Sequence, residues 1–406
     1  MKWKIGLIGR ILIAIGLAVG MGILLPNIHE GLATNFTRLF ATFNMLFGGF
    51  LNFIVPLIII AFIAPGIAKL GTGSGKLLGL ATVFAYLSTI FAGVLAYFVA
   101  TTLLPNVIHK PGDSVVENAG KAAATSFFEL EMEPIMGVMA ALIVAFLFGI
   151  GMASIKSVSL LAVFEELNVL IEKVISNVII PLLPVHIFGI FLNMTYTGEV
   201  AKVLSVFAFV FAMIIVLHLT MLTIQYSVAG SLARRNPFVL MKTMVPAYLT
   251  AIGTQSSAAS IPVTLRQARQ TGASERVTDF TIPLFATIHL SGSTITLVSC
   301  SIGVLLMNNL PVEFASYLPF ILMLGVTMIA APGVPGGAVM AAVGLLSSML
   351  QFDESMVALM IALYMAQDSF GTAANVTGDG ALAIIVDKFT PAVDGSVEEP
   401  KNLEAR

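Results

Sequence analysis

Residues 367–380, QDSFGTAANVTGDG, place two aspartates inside a segment that otherwise carries no charge. Asp368 and Asp379 are eleven residues apart, close to three helical turns, so a continuous helix would carry both on one face. Asn375 would lie between them on that face, with Thr372 beside it. We therefore predict a stripe of carboxylate, amide and carboxylate along a single helix.

The sequence around this stretch is that of a membrane protein. Of the 406 residues 58% are hydrophobic and 10% are charged, whereas a soluble domain carries roughly 25% charged residues. Charge-free runs long enough to span a bilayer cover residues 39–68, 77–109, 134–155, 174–198, 203–233, 243–265, 280–312 and 314–352. The last run is too long for one straight span, so we expect it to tilt or double back. The fold class is predicted to be an all-α polytopic membrane protein.

The positive charges predict an orientation for these segments. We expect the first six helices at about residues 11–28, 39–66, 77–104, 134–156, 165–194 and 200–233, the first retained because no cleavage motif precedes Pro26. With the N-terminus in the cytoplasm, only four of the 20 Lys and Arg residues fall outside, namely Arg38, Lys110, Lys121 and Lys202. This bias predicts that both termini are cytoplasmic.

Two apolar segments in the second part of the chain are interrupted by helix breakers. They are TAIGTQSSAASIPVTL at residues 250–265 and APGVPGGAVMAAVG at 331–344. Each precedes a stretch with a polar centre, ATIHLSGSTIT at 286–296 and the opening stretch respectively. A pair of interrupted segments at corresponding positions is typical of inverted-repeat transporters with a binding site near the midplane, where irregular backbone lines a cavity.

The two aspartates need partners at this depth. An ionised aspartate at the centre of a membrane helix costs about 2.5–3.5 kcal/mol, and residues 277–387 contain no Lys or Arg. A bound inorganic cation or a substrate ammonium is the natural partner. The structural alternative is that each aspartate is hydrogen-bonded to a neighbouring helix, and that the serines at 256–257 only close a turn. His289 has the same alternative, and the five histidines show no metal-ligand spacing.

Residues 250–390 resemble the dicarboxylate/amino acid:cation symporter family, which includes the glutamate transporters. The matching motifs are QSSAASIPVTLRQA, IPLFATIHLSGST, GVPGG, and NVTGD with its upstream aspartate. The resemblance implies eight transmembrane helices plus two re-entrant helical hairpins, an inverted repeat, a homotrimer and an elevator-type mechanism. It also implies three parts of the chain. Residues 1–233 would form six helices, of which helices 1, 2, 4 and 5 belong to the scaffold and helices 3 and 6 join the transport domain. Residues 234–390 would form the transport core, and residues 391–406 a cytoplasmic tail.

Carried over position by position, the resemblance implies a set of site residues. The substrate-binding residues would be Ser256, Ser257, Ser293, Asp368, Gly371, Thr372 and Asn375, with Asp368 on the α-ammonium and Asn375 on the α-carboxylate. The sodium ligands would be Asp379 and Thr287, with backbone from Phe285, His289, Asn375, Ala330 and Ala331. A further cation site would involve Ser88, Thr89 and Ser291.

Departures from the family pattern indicate the substrate and the coupling. Gly371 stands where members that carry acidic amino acids have an arginine, and Gln255 where an arginine often occurs in the first hairpin. Without a guanidinium, a side-chain carboxylate would be buried unpaired, so we predict a small neutral amino acid such as serine, threonine or alanine. Ser291 replaces the carboxylate that would ligate a third sodium, and His289 makes proton coupling an alternative to sodium.

Other functions stay open at this stage. A transporter of dicarboxylates or acidic amino acids would need a positive charge from elsewhere, and an ion channel would need a continuous polar pore. An enzyme is not expected, because no Ser/His or metal-ligand constellation occurs at catalytic spacing. We expect a multi-pass protein of the bacterial inner membrane, surrounded by lipid, with an amino acid as its small-molecule partner and no nucleic acid.

Overall fold

The computed structural model describes residues 7–72, 76–108, 124–130, 132–198, 200–329, 331 and 335–390, and these residues form helices and no strand. Seven helical stretches among them are long and apolar enough to cross a membrane: Gly9–Ile28, Glu30–Ala68, Leu77–Ile108, Val158–Tyr196, Val203–Ala233, Glu275–Met307 and Glu354–Phe389. The all-helical, multi-span prediction is confirmed. The tail predicted at 391–406 lies outside the described residues.

The first half of the chain contains long helices. They are α1 (Leu7–Ile28), α2 (Glu30–Thr72), α3 (Lys76–Leu103), α4 (Pro105–Ile108), α5 (Val138–Ile155), α6 (Val158–Val174), a π-helical turn (Ile175–Ile179), α7 (Ile180–Tyr196) and α8 (Val200–Ala233). Helix α2 begins at Glu30, before the predicted residue 39, because a charge-free run marks only the apolar middle of a helix. Within α2, Arg38 donates from Nε to the Thr125 carbonyl at 3.1 Å, and its guanidinium lies over the Phe127 ring.

The second half contains shorter helices and one long one. They are α9 (Pro237–Thr243), α10 (Val245–Thr254), α11 (Ser257–Gln270), α12 (Glu275–Ile288), α13 (Ser291–Met307), α14 (Phe314–Met328), α15 (Gly337–Leu350) and α16 (Glu354–Phe389). The pairs α10/α11 and α14/α15 are each in contact and lie at the two predicted breaker segments, and we call them the first and the second hairpin. Non-helical backbone at His289 and Leu290 separates α12 from α13, whereas α16 runs unbroken for 36 residues.

Packing places the polar residues of the second half in the protein interior. Helices α1, α5, α6 and α7 pack around α2 or each other, while α3 and α8 pack against α13 and α16. Helix α16 also contacts α10, α11, α12 and α15. As a result, about 89% of the most apolar part of α16 is buried, compared with 22% for α1. The stripe on α16 therefore does not face lipid.

Candidate substrate and ion site

The predicted stripe exists on α16 and is fully enclosed. Asp368, Asn375 and Asp379 are 4%, 2% and 1% exposed, in a helix without a break. The rise of a helix separates the two aspartates by about 16 Å, so they cannot serve one small ligand together. Each of the three side chains contacts a different element of the second half.

Asp368 is bound to the second hairpin. Its Oδ2 accepts a hydrogen bond from the backbone nitrogen of Gly336 at 2.7 Å. Gly336 immediately precedes α15 and has φ +75°, a left-handed conformation that glycine adopts without steric cost. A side chain there would also meet the Met365 sulfur at 2.8 Å. The hairpin therefore approaches the carboxylate through backbone, and it covers Asp368.

A small cavity adjoins Asp368, and residues from five helices line it. Its volume is about 20 Å³, and its lining consists of Gln255, Ser257, Ala286, Leu290, Ser293, Ala331, Ala338, Tyr364, Asp368, Thr372 and Asn375. Asp368 is the one charged residue in this lining. Such a volume holds about one water molecule, so an amino acid requires the cavity to widen. The hydrogen bond from the Gly336 nitrogen to Asp368 Oδ2 is the contact that would have to break.

Asn375 caps α13 from the neighbouring helix. Its Oδ1 accepts from the backbone nitrogens of Gly292 and Ser293 at 2.7 and 3.2 Å, and its Nδ2 donates to Ser293 Oγ at 2.9 Å. The first N–H groups of a helix lack partners within it, and Leu290, which precedes α13, provides no side-chain cap. The amide oxygen of Asn375 is therefore used for structure. Its Nδ2 keeps a second hydrogen for a ligand in the cavity.

Asp379 lies beside the break between α12 and α13. Its Oδ1 is 2.8 Å from His289 Nδ1, and both side chains are buried. His289 Nε2 is 3.0 Å from Ser88 Oγ on α3 and 3.3 Å from Gln225 Nε2 on α8. Gln225 Nε2 also donates to Ser88 Oγ at 3.0 Å and to Ser291 Oγ at 3.4 Å. Four elements thus meet in one buried polar cluster, formed by Ser88, Gln225, His289, Ser291 and Asp379.

The structure brings together most of the predicted substrate residues. Ser257, Ser293, Asp368, Thr372 and Asn375 all line the cavity. Two predicted residues do not. The hydroxyl of Ser256 accepts from the Ala259 nitrogen and caps α11, the structural role that serines favour at such positions. Gly371 faces α13, where a side chain would meet Thr296 Oγ1 and the Ser293 nitrogen at 3.4 and 3.5 Å.

The predicted sodium ligands are more scattered. Asp379 and the backbone of His289 lie in the buried cluster, and Ala331 lines the cavity near Asp368. The carbonyl of Phe285 accepts from the His289 nitrogen at 2.9 Å. Thr287 is exposed and donates to the Leu284 carbonyl of its own helix, so it contributes to neither place. Ala330 lies outside the described residues.

The residues predicted for a further cation site divide in the same way. Ser88 and Ser291 belong to the buried cluster, whereas Thr89 donates to the Ala85 carbonyl of its own helix at 2.9 Å. A hydroxyl that bonds to the preceding turn contributes to helix structure. Two of the three predicted residues therefore lie in the buried cluster, and the cation site itself stays a prediction.

Two residues of the site were missed from the sequence. Tyr364 lines the cavity, where its buried hydroxyl lies beside Asp368 and Ser293 without a hydrogen bond of good geometry among the described residues. It lies four residues before Asp368, so the helical spacing that linked Asp368 to Thr372 could have found it. Gln225 lies among several polar residues of the largely apolar helix α8, and only tertiary contact relates it to Asp379.

Apolar helices of spanning length that enclose a cavity with a buried aspartate are features expected of a membrane transporter of small molecules. Residues 7–389 match the sodium:dicarboxylate symporter family, and the chain belongs to that family. Two of the most similar relatives are named serine/threonine transporter SstT, from two strains of Acinetobacter baumannii. They are 26% identical to this chain over 399 and 402 residues, which covers 95% of this chain and 97% of each relative. The family resemblance seen in the motifs is confirmed.

Proposed function

We propose that the protein is a sodium-coupled symporter that imports a small neutral amino acid of the serine, threonine or alanine type. The observation that carries the substrate proposal is the lining of the cavity, in which Asp368 is the one charged side chain. A buried carboxylate suits the ammonium group of an amino acid. A second carboxylate on the substrate would lack a cationic partner in this lining and would be costly to bury.

The polar groups beside Asp368 support a hydroxylated substrate. Ser293, Thr372 and the buried hydroxyl of Tyr364 line the same cavity. The name of the relatives, serine/threonine transporter, agrees with this chemistry at 26% identity. The Gly371 position supports the proposal only indirectly, because it lacks a guanidinium but faces Thr296 instead of the cavity.

The coupling and the mechanism are further parts of the proposal. Sodium would bind at Asp379, the second buried carboxylate, and the family name supports this ion. Packing agrees with a scaffold made of α1, α2, α5, α6 and α7, and with a transport domain that includes α3 and α8. The elevator movement, the homotrimer, the bacterial inner membrane and the cytoplasmic termini rest on the family resemblance and on the distribution of positive charge.

Uptake of labelled L-serine into proteoliposomes tests the proposal. Uptake should require an inward sodium gradient, and unlabelled threonine or alanine should inhibit it while aspartate and succinate should not. Inhibition by aspartate or succinate would instead support the acidic-substrate alternative that the family name suggests. Serine uptake driven by a proton gradient without sodium would replace the proposed coupling ion and keep the substrate.

A further inference from the structure

The contact between His289 and Asp379 indicates which ring nitrogen of His289 carries the hydrogen. A carboxylate only accepts hydrogen bonds, so the ring nitrogen 2.8 Å from Asp379 Oδ1, which is Nδ1, carries the hydrogen. The other ring nitrogen faces Ser88 Oγ at 3.0 Å. Ser88 already accepts from the Gln225 amide, and its own hydrogen is available to the ring. Hydrogen bonds thus run from Gln225 through Ser88 and His289 to Asp379.

This arrangement gives the Asp379 carboxylate a hydrogen-bond donor but no positive charge to balance its own. A ring that donates from Nδ1 and accepts at Nε2 is neutral. The other members of the buried cluster, Ser88, Gln225 and Ser291, are also uncharged. A carboxylate that is hydrogen-bonded yet electrically uncompensated in a membrane interior still favours a cation.

An oxygen suited to a cation lies next to the ring. Gln225 is 5% exposed, and its Oε1 has no hydrogen-bond partner among the described residues. A Cβ atom added to Gly378 would lie 2.7 Å from this oxygen and 3.0 Å from His289 Cε1. The oxygen and the ring therefore both lie against Gly378. Hard cations take carboxylate and carbonyl oxygens as ligands, and a buried unpaired carbonyl is costly without one.

We propose that the His289 side chain stands in for the coupling cation at Asp379. In the ion-free protein the ring donates to the carboxylate, and sodium must displace this hydrogen bond before it can bind. His289 is therefore an internal competitor that lowers the affinity for sodium, and Gln225 and Ser88 hold the ring in the competing position. This inference rests on the proposed function, because it assumes that sodium binds at Asp379.

Sodium binding to the purified protein tests the competition. The readout is the midpoint of thermal unfolding as sodium replaces choline at constant ionic strength, without amino acid, since a ligand of the native state raises the midpoint. His289→Asn offers an amide that can turn its oxygen to the ion, and His289→Ala removes the ring. The matched control is His186→Asn, because His186 is also a buried histidine but bonds to Asn44 between α7 and α2, outside the cluster.

Both His289 variants should bind sodium about tenfold more tightly than wild type, which corresponds to about 1.4 kcal/mol, and His186→Asn should match wild type. If His289→Ala does not fold, His289→Asn alone decides the result. Unchanged or weaker sodium affinity in the variants, beside a clear response of wild type, would overturn the competition and leave the proposed function standing. No sodium response in any of the four proteins would overturn both. A response gained only by the His289 variants would support the competition.

Discussion

The side-chain oxygen of Asn375 lies 2.7 Å from the backbone nitrogen of Gly292, so α16 provides the N-cap of α13. This contact fixes the broken helix against the continuous one at the level between the two aspartates. The cavity beside Asp368 lies on one side of it and the cluster around Asp379 on the other, because Asn375 stands between them on α16. The cavity beside Asp368 and the buried cluster around Asp379 are therefore linked through one amide.

Replacing Asn375 by alanine should destabilise the protein by about 1–3 kcal/mol, because two backbone N–H groups at the start of α13 lose their acceptor in a buried place. The thermal unfolding midpoint in detergent measures the loss. Asn308→Ala is the matched control at the other end of α13, since Asn308 is less buried and donates to the Val304 carbonyl of its own helix. Equal losses in the two variants would contradict the interhelical cap.

Asp368→Asn should strongly weaken amino acid binding with a smaller effect on folding. The amide keeps an acceptor for the Gly336 nitrogen but removes the charge that pairs with an ammonium, so we expect about 100-fold weaker binding. Titration of labelled serine into the purified protein measures it. Asp387→Asn is the control on the same helix, because Asp387 accepts from Ser274 and does not line the cavity. Serine binding that survives in Asp368→Asn would place the substrate elsewhere.

Alanine should be tolerated at Gly371 and rejected at Gly292. A methyl group at 371 would make ordinary contacts of 3.4 Å or more, and alanine favours a helix over glycine by about 1 kcal/mol. At 292 it would collide with the Gly371 carbonyl and lie 2.7 Å from Ala374 Cβ, an overpacking that costs about 1–3 kcal/mol. Unfolding midpoints of the two variants should therefore move in opposite directions. Loss of stability in Gly371→Ala would mean that α16 and α13 lie closer together than described.

Tyr364→Phe should change selectivity more than stability. The hydroxyl lies beside Asp368 and Ser293 but makes no hydrogen bond of good geometry among the described residues, so its removal should cost little in the ligand-free protein. If it contacts the hydroxyl of serine or threonine, the variant should bind these about threefold to tenfold more weakly relative to alanine. Competition for labelled alanine uptake measures the ratio. Tyr317→Phe, which removes a hydroxyl bonded to Ser301 outside the cavity, should leave the ratio unchanged; the same shift in both variants would argue against contact at Tyr364.

The sequence by itself determined the class of protein and the composition of the stripe. Apolar runs of spanning length leave helices as the available structure, because backbone groups in lipid must bond within their own segment. The eleven-residue spacing of Asp368 and Asp379 fixed their common face once α16 was continuous. The breaker segments likewise indicated where α10 meets α11 and where α15 begins, because Gly and Pro are clustered there, whereas single prolines such as Pro56 and Pro65 lie within the unbroken helix α2.

Tertiary structure decided which polar groups meet. No spacing along the chain predicts that Ser88 on α3, Gln225 on α8 and His289 in the break after α12 converge on Asp379. Nor does the sequence reveal that Gly371 turns toward α13 and Thr287 toward the exterior, because the direction of a residue depends on where neighbouring helices pack. Periodicity along a chain sets which residues share a face. The partner of that face is set by long-range packing, which a single sequence does not encode locally.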